Sequence, residues 1–213
     1  MDLRDFETHY LVQTGLNQIQ NPFIKGMAEK NHYQLGDHPT PIGVAFYIVP
    51  LINSITRVGT MAEKTLLFES MLNWKAFDLV PSTKRGCSGQ QETRLEQSLR
   101  TCTNVKNRQT RNQDAAVEQV KAIIEDNKLL DHKILLIKLE RPSFDRGITG
   151  LIANKLMAEY QRPVALLVEV EEDGKIAWSG SARGYEKSKL NDFRVFFRDS
   201  GLIYLAEGHP NAF

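Results

Sequence analysis

Residues 133–181 read K-I-L-L-I-K-L-E-R-P-S-F-D-R-G-I-T-G-L-I-A-N-K-L-M-A-E-Y-Q-R-P-V-A-L-L-V-E-V-E-E-D-G-K-I-A-W-S-G-S, and no other stretch says as much about the architecture. The apolar run over 133–139 is short and dense, as expected of a buried strand. Residues 148–160 carry a helical pattern, opened by Gly147 and closed before Arg162-Pro163. A second apolar run over 163–170 predicts a second strand. Asp173-Gly174 is a two-residue hairpin signal, so residues 175–181 return antiparallel. Downstream, 190–197 reads as a helix and 202–205 as a short last strand. Strand, helix, strand, hairpin, helix, strand describes a small α/β domain with a mixed sheet.

Upstream the pattern changes. Residues 92–127 contain neither proline nor glycine. Leu95, Leu99, Cys102 and Val105, then Ala116, Val117, Val120, Ile123 and Ile124, keep a helical period. Residues 106–114 are polar all round, as in a helix that bridges domains through solvent. Lys84 to Arg111 holds seven basic and two acidic residues. That excess fits either a solvated helix face or a strip that steers a phosphate backbone.

The first ninety residues read as helical. Helices are expected over 5–20, with Asn21-Pro22 as the stop, over a short piece near Phe23 to Ala28, and over 61–72. Residues 32–41 and 76–92 read as loops. The most apolar run, T-P-I-G-V-A-F-Y-I-V-P-L-I-N-S-I-T-R-V-G, spans 40–59. Thr40 is a natural N-cap with Pro41 in the first helical position. Pro50 is expected to end that helix and leave 51–59 irregular. Asn53 and Arg57 sit there among apolar neighbours, either bonded structurally or aimed into a site. The expected class is therefore α/β: a helical N-terminal half over 1–91, a connecting helix over 92–128, and a small α/β domain with a mixed sheet over 129–213.

Composition sets the bounds. The chain has 213 residues, 41% hydrophobic and 25% charged, with a net charge of +1. These are values of an ordinary globular protein, with no global field to attract a polyanion. Cys87 and Cys102 lack any zinc-site spacing and read as two reduced thiols. No apolar run reaches the ~20 residues of a membrane span, and residues 1–7 lack a signal peptide's apolar core. The expected location is cytoplasmic, with no membrane partner.

The end of the predicted return strand holds the candidate chemistry. W-S-G-S-A-R-G over 178–184 surrounds Arg183 with small residues and hydroxyls, and Gly208-His209 follows after a further helix. Small residues let a ligand approach the backbone. The guanidinium of Arg183 is a planar fork suited to phosphate, and Ser181 adds a hydroxyl. The corner is either an anion site or a tight turn with a solvated arginine.

Taken in order, the landmarks resemble one family along the whole chain: the RecJ-like single-strand-specific DNA exonucleases of the DHH phosphoesterase superfamily. The opening D-L-R-D-F-E-T-H-Y-L-V-Q-T-G-L is similar to the segment after that family's last metal motif. P-L-I-N-S-I-T-R-V-G resembles P-x-(L/I)-N-A-A-G-R-x-G, with Asn53 and Arg57 in the matching places. N-V-K-N-R-Q resembles the start of the connecting helix, at Asn107-Arg108. G-I-T-G-L-I-A-N-K-L-M-A-E-Y-Q-R-P-V resembles G-V-x-G-(I/L)-x-A-(S/N)-(K/R)-L-x-x-x-(Y/F)-x-R-P-(V/A). G-S-A-R-G matches G-S-x-R-(S/G), and E-G-H-P-N-A-F matches G-G-H-x-x-A-x-G. Glu207 replaces a glycine, Ser54-Ile55-Thr56 replaces A-A-G, and the final glycine is not reached.

The resemblance implies a function by parts. The family hydrolyses phosphodiesters with paired manganese or magnesium ions held by D-x-D-G and D-H-H signatures, and neither signature is here. Asp37-His38 and Asp131-His132 are followed by Pro39 and Lys133. The chain therefore resembles the downstream, substrate-binding part of such an exonuclease, with DNA repair and recombination as the family's setting. Residues 1–91 would be the helical remainder of the catalytic domain, and 129–213 the DHH-associated nucleic-acid-binding domain. It is expected to be inactive alone, to bind no metal itself, and to need an upstream catalytic DHH half in the same or a separate chain. The implied substrate-binding residues are Asn53, Arg57, Ser181, Arg183, Gly208 and His209, gripping the backbone of single-stranded DNA near its 5′ end. Trp178 and Tyr185 either stack on bases or, as is commoner for such residues, pack in the core or a turn. A stand-alone nucleic-acid-binding module, or part of an oligonucleotide or cyclic-dinucleotide phosphodiesterase, are the alternatives.

Overall fold

A computed structural model describes residues 4–140 and 144–213. Asp2 and Leu3 of the opening motif lie outside the described residues. The chain divides into two compact units, 1–109 and 110–213.

Unit 1 is built from helices. α1 (Phe6–Asn17) and α2 (Pro22–Lys30) follow the predicted order, and Asn21 caps α2 by accepting from the N–H groups of Phe23 and Ile24. The segment read as a loop from residue 32 opens with one further turn, α3 (His32–Leu35). The apolar run then departs from expectation. α4 (Pro41–Gly43), a π-helical stretch (Val44–Ile48) and α5 (Val49–Val58) form one continuous rod, so Pro50 does not end the helix. The π turn is the reason. A proline ring collides with the carbonyl four residues back and offers no N–H. Widening the preceding turn moves that carbonyl aside. The rod has 18 residues of mean hydropathy 1.4, long and apolar enough by length and composition to cross a membrane, which corrects the expectation that no run reaches that length.

One face of the rod enters the core. Ile48 and Ile55 pack with Phe23, Met27, Leu35, Leu67, Cys102 and Val105. Thr60 then starts α6 (Met61–Met71) with a capping box. Its hydroxyl accepts from Glu63 N at 3.2 Å, and Glu63 Oε2 accepts from Thr60 N at 2.8 Å. The segment 76–92, read as a loop, contains a short antiparallel pair, β1 (Leu79–Pro81) and β2 (Gln91–Thr93). α7 (Arg94–Asp126) is the predicted long helix, 33 residues without interruption. Its first part buries Cys102 and Val105 in unit 1, and its second part buries Ala116, Val117, Val120 and Ile124.

Unit 2 contains the predicted mixed sheet. β3 (Leu135–Leu139) pairs parallel with β4 (Val164–Glu172), which pairs antiparallel with β5 (Lys175–Arg183). α8 (Thr149–Tyr160) connects β3 to β4. Asp173 and Gly174 both have positive φ, at 52° and 73°, as the tight hairpin requires. Strand alternation sorts the side chains. Leu135, Ile137, Val164, Leu166 and Val168 are buried, as are Ile152, Ala153 and Leu156 of α8. On the opposite face Ala165 and Ala182 pack with Phe193 and Phe197 of α9 (Phe193–Asp199) and with Phe213. The expected strand over 202–205 is not formed. Leu202, Tyr204 and Leu205 are exposed, with no strand partner to fix them.

Candidate nucleic-acid interface

In unit 2, alternation sends Ser181 and Arg183 of β5 toward the start of α8. The chain enters α8 through a 3-10 turn (Arg146–Ile148), and Asp145 Oδ1 accepts from Gly147 N at 2.6 Å. Thr149 is buried. Its hydroxyl donates to Arg146 O at 2.9 Å and lies 3.3 Å from Ser181 Oγ. Gly150 comes next, and its bareness matters. A Cβ there would lie 2.6 Å from Arg183 Nη2 and 3.3 Å from Ser181 Oγ. The guanidinium therefore rests against the first turn of α8, where the helix dipole favours an anion, while the N–H groups of Gly147, Ile148 and Thr149 are taken by Asp145 Oδ1, Asp145 O and Arg146 O. Arg183 Nη1 donates to Ala182 O at 2.7 Å, and the side chain is half-buried.

The last residues close the other side of this strand end. Ala182 N donates to Phe213 O at 2.7 Å, and Gly184 N donates to Asn211 O at 2.9 Å. His209 and Ala212 exchange hydrogen bonds of 2.9 and 3.1 Å, forming a tight turn. Gly208 has a φ of 134°, and a Cβ there would meet Ala212 O at 2.7 Å, so the turn requires glycine. Arg194 Nη1 donates to Gly208 O at 2.7 Å, and Arg194 N donates to Pro210 O at 3.0 Å. Four of the sequence-derived candidates, Ser181, Arg183, Gly208 and His209, are thus gathered at one end of β5, with Gly208 and His209 exposed.

Asn53 and Arg57 belong to unit 1. They occupy successive turns of the exposed face of α5, and Arg57 lies in its last turn, where a cation complements the helix dipole. Trp178 lies on the other face of the sheet from Ser181. Lys138 Nζ sits 4.8 Å from the centroid of its ring, a cation–π pair within unit 2. That face carries a cavity of about 950 Å³, floored by Leu136, Leu167 and Gly180 and walled by Trp178 and Tyr204. That cavity is lined mainly by apolar side chains, whereas the gathered polar groups are at the end of β5, and geometry favours the latter for an anion. Tyr185 is half-buried.

The basic stretch of 84–111 is not an open strip. Arg94 is paired with Glu69 and Asp78, and Arg108 with Glu63. Arg100 holds buried Glu92 through two bonds of 2.6 Å, and Lys84 approaches the same carboxylate at 3.4 Å. The Arg100 hydrogen bonds hold the Glu92 carboxyl far below its ordinary range, against the opposing cost of its burial. Four of the seven positive charges are therefore engaged by internal carboxylates.

Sequence reading marked the Gly147 to Gly150 turn as a helix start able to receive an anion, but passed over the Thr149 hydroxyl, Arg194 and Asn211. Thr149 and Gly150 lie within the G-I-T-G-L motif, so a signal was present. Arg194 acts by bonding a backbone carbonyl, for which no residue pattern exists. Asn211 Oδ1 is buried with no hydrogen-bond partner among the described residues. The DHH resemblance implies a divalent metal pair, and the residues do not fit one. Among the described residues no group of three or more His, Cys, Asp or Glu is placed to hold a metal ion.

Comparison with known proteins adds an independent line. No family model matches the chain. A Bacillus subtilis strain 168 protein, which carries the name of an SPbeta prophage-derived single-strand DNA-specific exonuclease, YorK, is 38% identical over 215 residues. The match covers 99% of this chain and 36% of that protein. The phage SPbeta counterpart matches equally. The chain thus spans little more than a third of the length of these relatives. Among solved structures, a Thermus thermophilus protein in complex with Mg2+ matches with a TM-score of 0.60 and 18% identity, over 96% of this chain and 27% of that one. A manganese-bound exonuclease gives 0.59 and 17%, over 96% and 44%. Both are crystal structures of RecJ, and at these identities the likeness concerns the fold.

Proposed function

This chain is similar in sequence to proteins named as single-strand DNA-specific exonucleases and in fold to RecJ over nearly its whole length, and from that premise we propose that it is the substrate-binding part of a single-strand DNA exonuclease. Unit 2 grips the sugar–phosphate backbone near the 5′ end. Arg183 supplies a charged fork and Ser181 a hydroxyl, beside the positive end of the α8 dipole. Gly208 and His209 border the same strand end. Asn53 and Arg57, on unit 1, are further contacts to the strand in this reading. The hydrolytic metals, manganese or magnesium, reside on the remainder of the enzyme, since the described residues offer no fitting ligand set. A cytoplasmic setting follows from the DNA substrate.

One observation carries the reading: the absent side chain at Gly150 makes room for the Arg183 guanidinium beside Ser181 and the N-terminus of α8. A structural turn with a solvated arginine needs no such space. Phosphate contacts position a strand without reading its sequence. Binding should therefore ignore base composition and weaken with salt, by about 0.7 in log–log slope per neutralised phosphate.

The test is fluorescence anisotropy with a labelled 5′-phosphorylated oligo-dT across a salt series, without metal. Arg183→Ala should weaken binding and lower the slope by nearly one contact. No binding by the wild-type chain at low salt would refute the proposal. So would manganese-dependent cleavage by the chain alone.

A further inference from the structure

Between α6 and α7 the chain puts out an arm whose outer face the core of unit 1 does not use. It begins with a helical turn, in which Lys75 N and Ala76 N both donate to Leu72 O, at 2.9 and 3.0 Å. β1 and β2 follow as a two-stranded ladder joined by S-T-K-R-G-C-S-G-Q over 82–90, where Gly86 and Gly89 have φ of 81° and 80°. Trp74 and Phe77 stand three residues apart, a spacing that sets both on one side of the turn. Leu79 and Pro81 share one face of β1. All four are exposed, Trp74 at 75% and Phe77 at 62%. At the tip, Arg85 is exposed and makes no ion pair among the described residues. Its neighbour Lys84 sits 3.4 Å from Glu92, whose carboxylate Arg100 already holds.

The arm is braced from beneath. Arg94 N donates to Asp78 O at 2.9 Å and Leu95 N to Ala76 O at 2.8 Å, which fasten its root to the start of α7. Buried Glu92 accepts from Thr83 N at 3.1 Å as well as from Arg100, and Gln97 Nε2 donates to Pro81 O at 3.0 Å. Tryptophan and phenylalanine contribute large apolar areas when a fold buries them. Here a fixed frame presents them outward instead, and a large exposed apolar patch is the informative departure from ordinary surface.

We propose that this arm is a separate contact for single-stranded DNA, in which Trp74 and Phe77 stack on bases while Lys84 and Arg85 at the tip take backbone phosphates. The inference rests on the substrate proposed above and adds a base-contacting platform on unit 1 to the phosphate grip on unit 2. Charge and shape select the occupant. Aromatic faces next to cations are what a single strand needs, because every base has a face to stack and every nucleotide a phosphate to neutralise. A duplex keeps its bases stacked on each other and offers the rings nothing. A second copy of the chain fits less well. The arm's one carboxylate, Asp78, is already paired with Arg94, so a like face has nothing to answer Arg85.

The test is fluorescence anisotropy of the full chain with two labelled strands of equal length, oligo-dT and an abasic deoxyribose-phosphate strand. The double variant Trp74→Ala, Phe77→Ala should bind oligo-dT at least about tenfold more weakly, since each stacked base contributes roughly 5- to 100-fold. Its salt slope and its affinity for the abasic strand should stay at the wild-type values. Arg85→Ala is the second variant. It should weaken binding of both strands and lower the log–log salt slope by about 0.7. All three positions are exposed, so melting temperatures should match wild type. Wild-type affinity of the double variant for oligo-dT overturns the proposal, as does an equal loss on both strands. So does a dimer in sedimentation, or flotation with phosphatidylglycerol vesicles, that the double variant abolishes while DNA binding is unchanged. Arg183→Ala separates this inference from the grip proposed for unit 2. If Arg183→Ala binds like wild type and the double variant does not, the grip falls and the arm stands. The reverse pattern keeps the grip and removes the arm.

Discussion

Replacing Gly150 by alanine separates the fold from the site in a single substitution. Gly150 is in the first turn of α8 and is buried. Its added Cβ would stand 2.6 Å from Arg183 Nη2, 3.3 Å from Ser181 Oγ and 3.4 Å from Arg183 Cζ. The nearest atom is the tip of a flexible side chain, so the guanidinium can swing away without disturbing the backbone. Stability should then hold or rise, since alanine is favoured over glycine in a helix by about 0.5–1 kcal/mol. DNA binding should suffer. Hydrogen bonds to a charged group contribute about 1.5–3 kcal/mol, so displacing Arg183 from a bound phosphate should weaken affinity roughly 10- to 100-fold. The assay is paired: thermal melting, and anisotropy of a 5′-phosphorylated oligo-dT at fixed salt. Unchanged affinity with unchanged melting would show that Arg183 does not hold the strand. A fall in both would mean that the corner is a packing feature and the reasoning is wrong.

Other outcomes follow from unit 1. Glu92 is buried and its carboxyl is held well below the ordinary range, chiefly by Arg100. A depressed folded value contributes stability above the unfolded carboxylate range, and that stability is lost as pH falls through the folded value. Urea titrations should therefore show wild-type stability decreasing on acidification below about pH 4.5. Arg100→Met leaves the charge buried and should cost about 3 kcal/mol at neutral pH, softened by Lys84 and Gln97, which also reach Glu92. Burial pushes the Cys102 thiol up to about 12, while Cys87 is only half-buried. A thiol reagent at neutral pH should modify Cys87 at once and Cys102 only on unfolding. Thr60→Ala removes one arm of the capping box and should cost about 1 kcal/mol of unit 1 stability, read from a denaturant melt.

The sequence carried the strands of unit 2 well because each is a local signal. The dense runs over 133–139 and 163–170 and the Asp173-Gly174 turn need no distant partner to be recognised. Pro50 misled because the rule for proline assumes an ordinary α-turn before it, and the π turn over Val44–Ile48 is decided by how the rod packs. The strand expected over 202–205 had the right residues but no neighbour to pair with, and pairing is a tertiary fact. The basic excess over 84–111 was visible, whereas its neutralisation was not. Glu63, Glu69 and Asp78 come from other elements and meet it only in three dimensions. At the site, Arg183 and Ser181 were legible because they sit two residues apart on one strand. The role of Gly150 was not, since it depends on a contact across more than thirty residues of chain.

The most direct measurement is a backbone amide chemical-shift map of the isotope-labelled chain titrated with a short 5′-phosphorylated oligo-dT in dilute buffer. Concentrated shifts are expected at Gly147 to Gly150, at Ser181 to Gly184 and at His209, and they should disappear in Arg183→Ala. Shifts confined to other surfaces, or a spectrum indifferent to the strand, would contradict a phosphate grip at the end of β5.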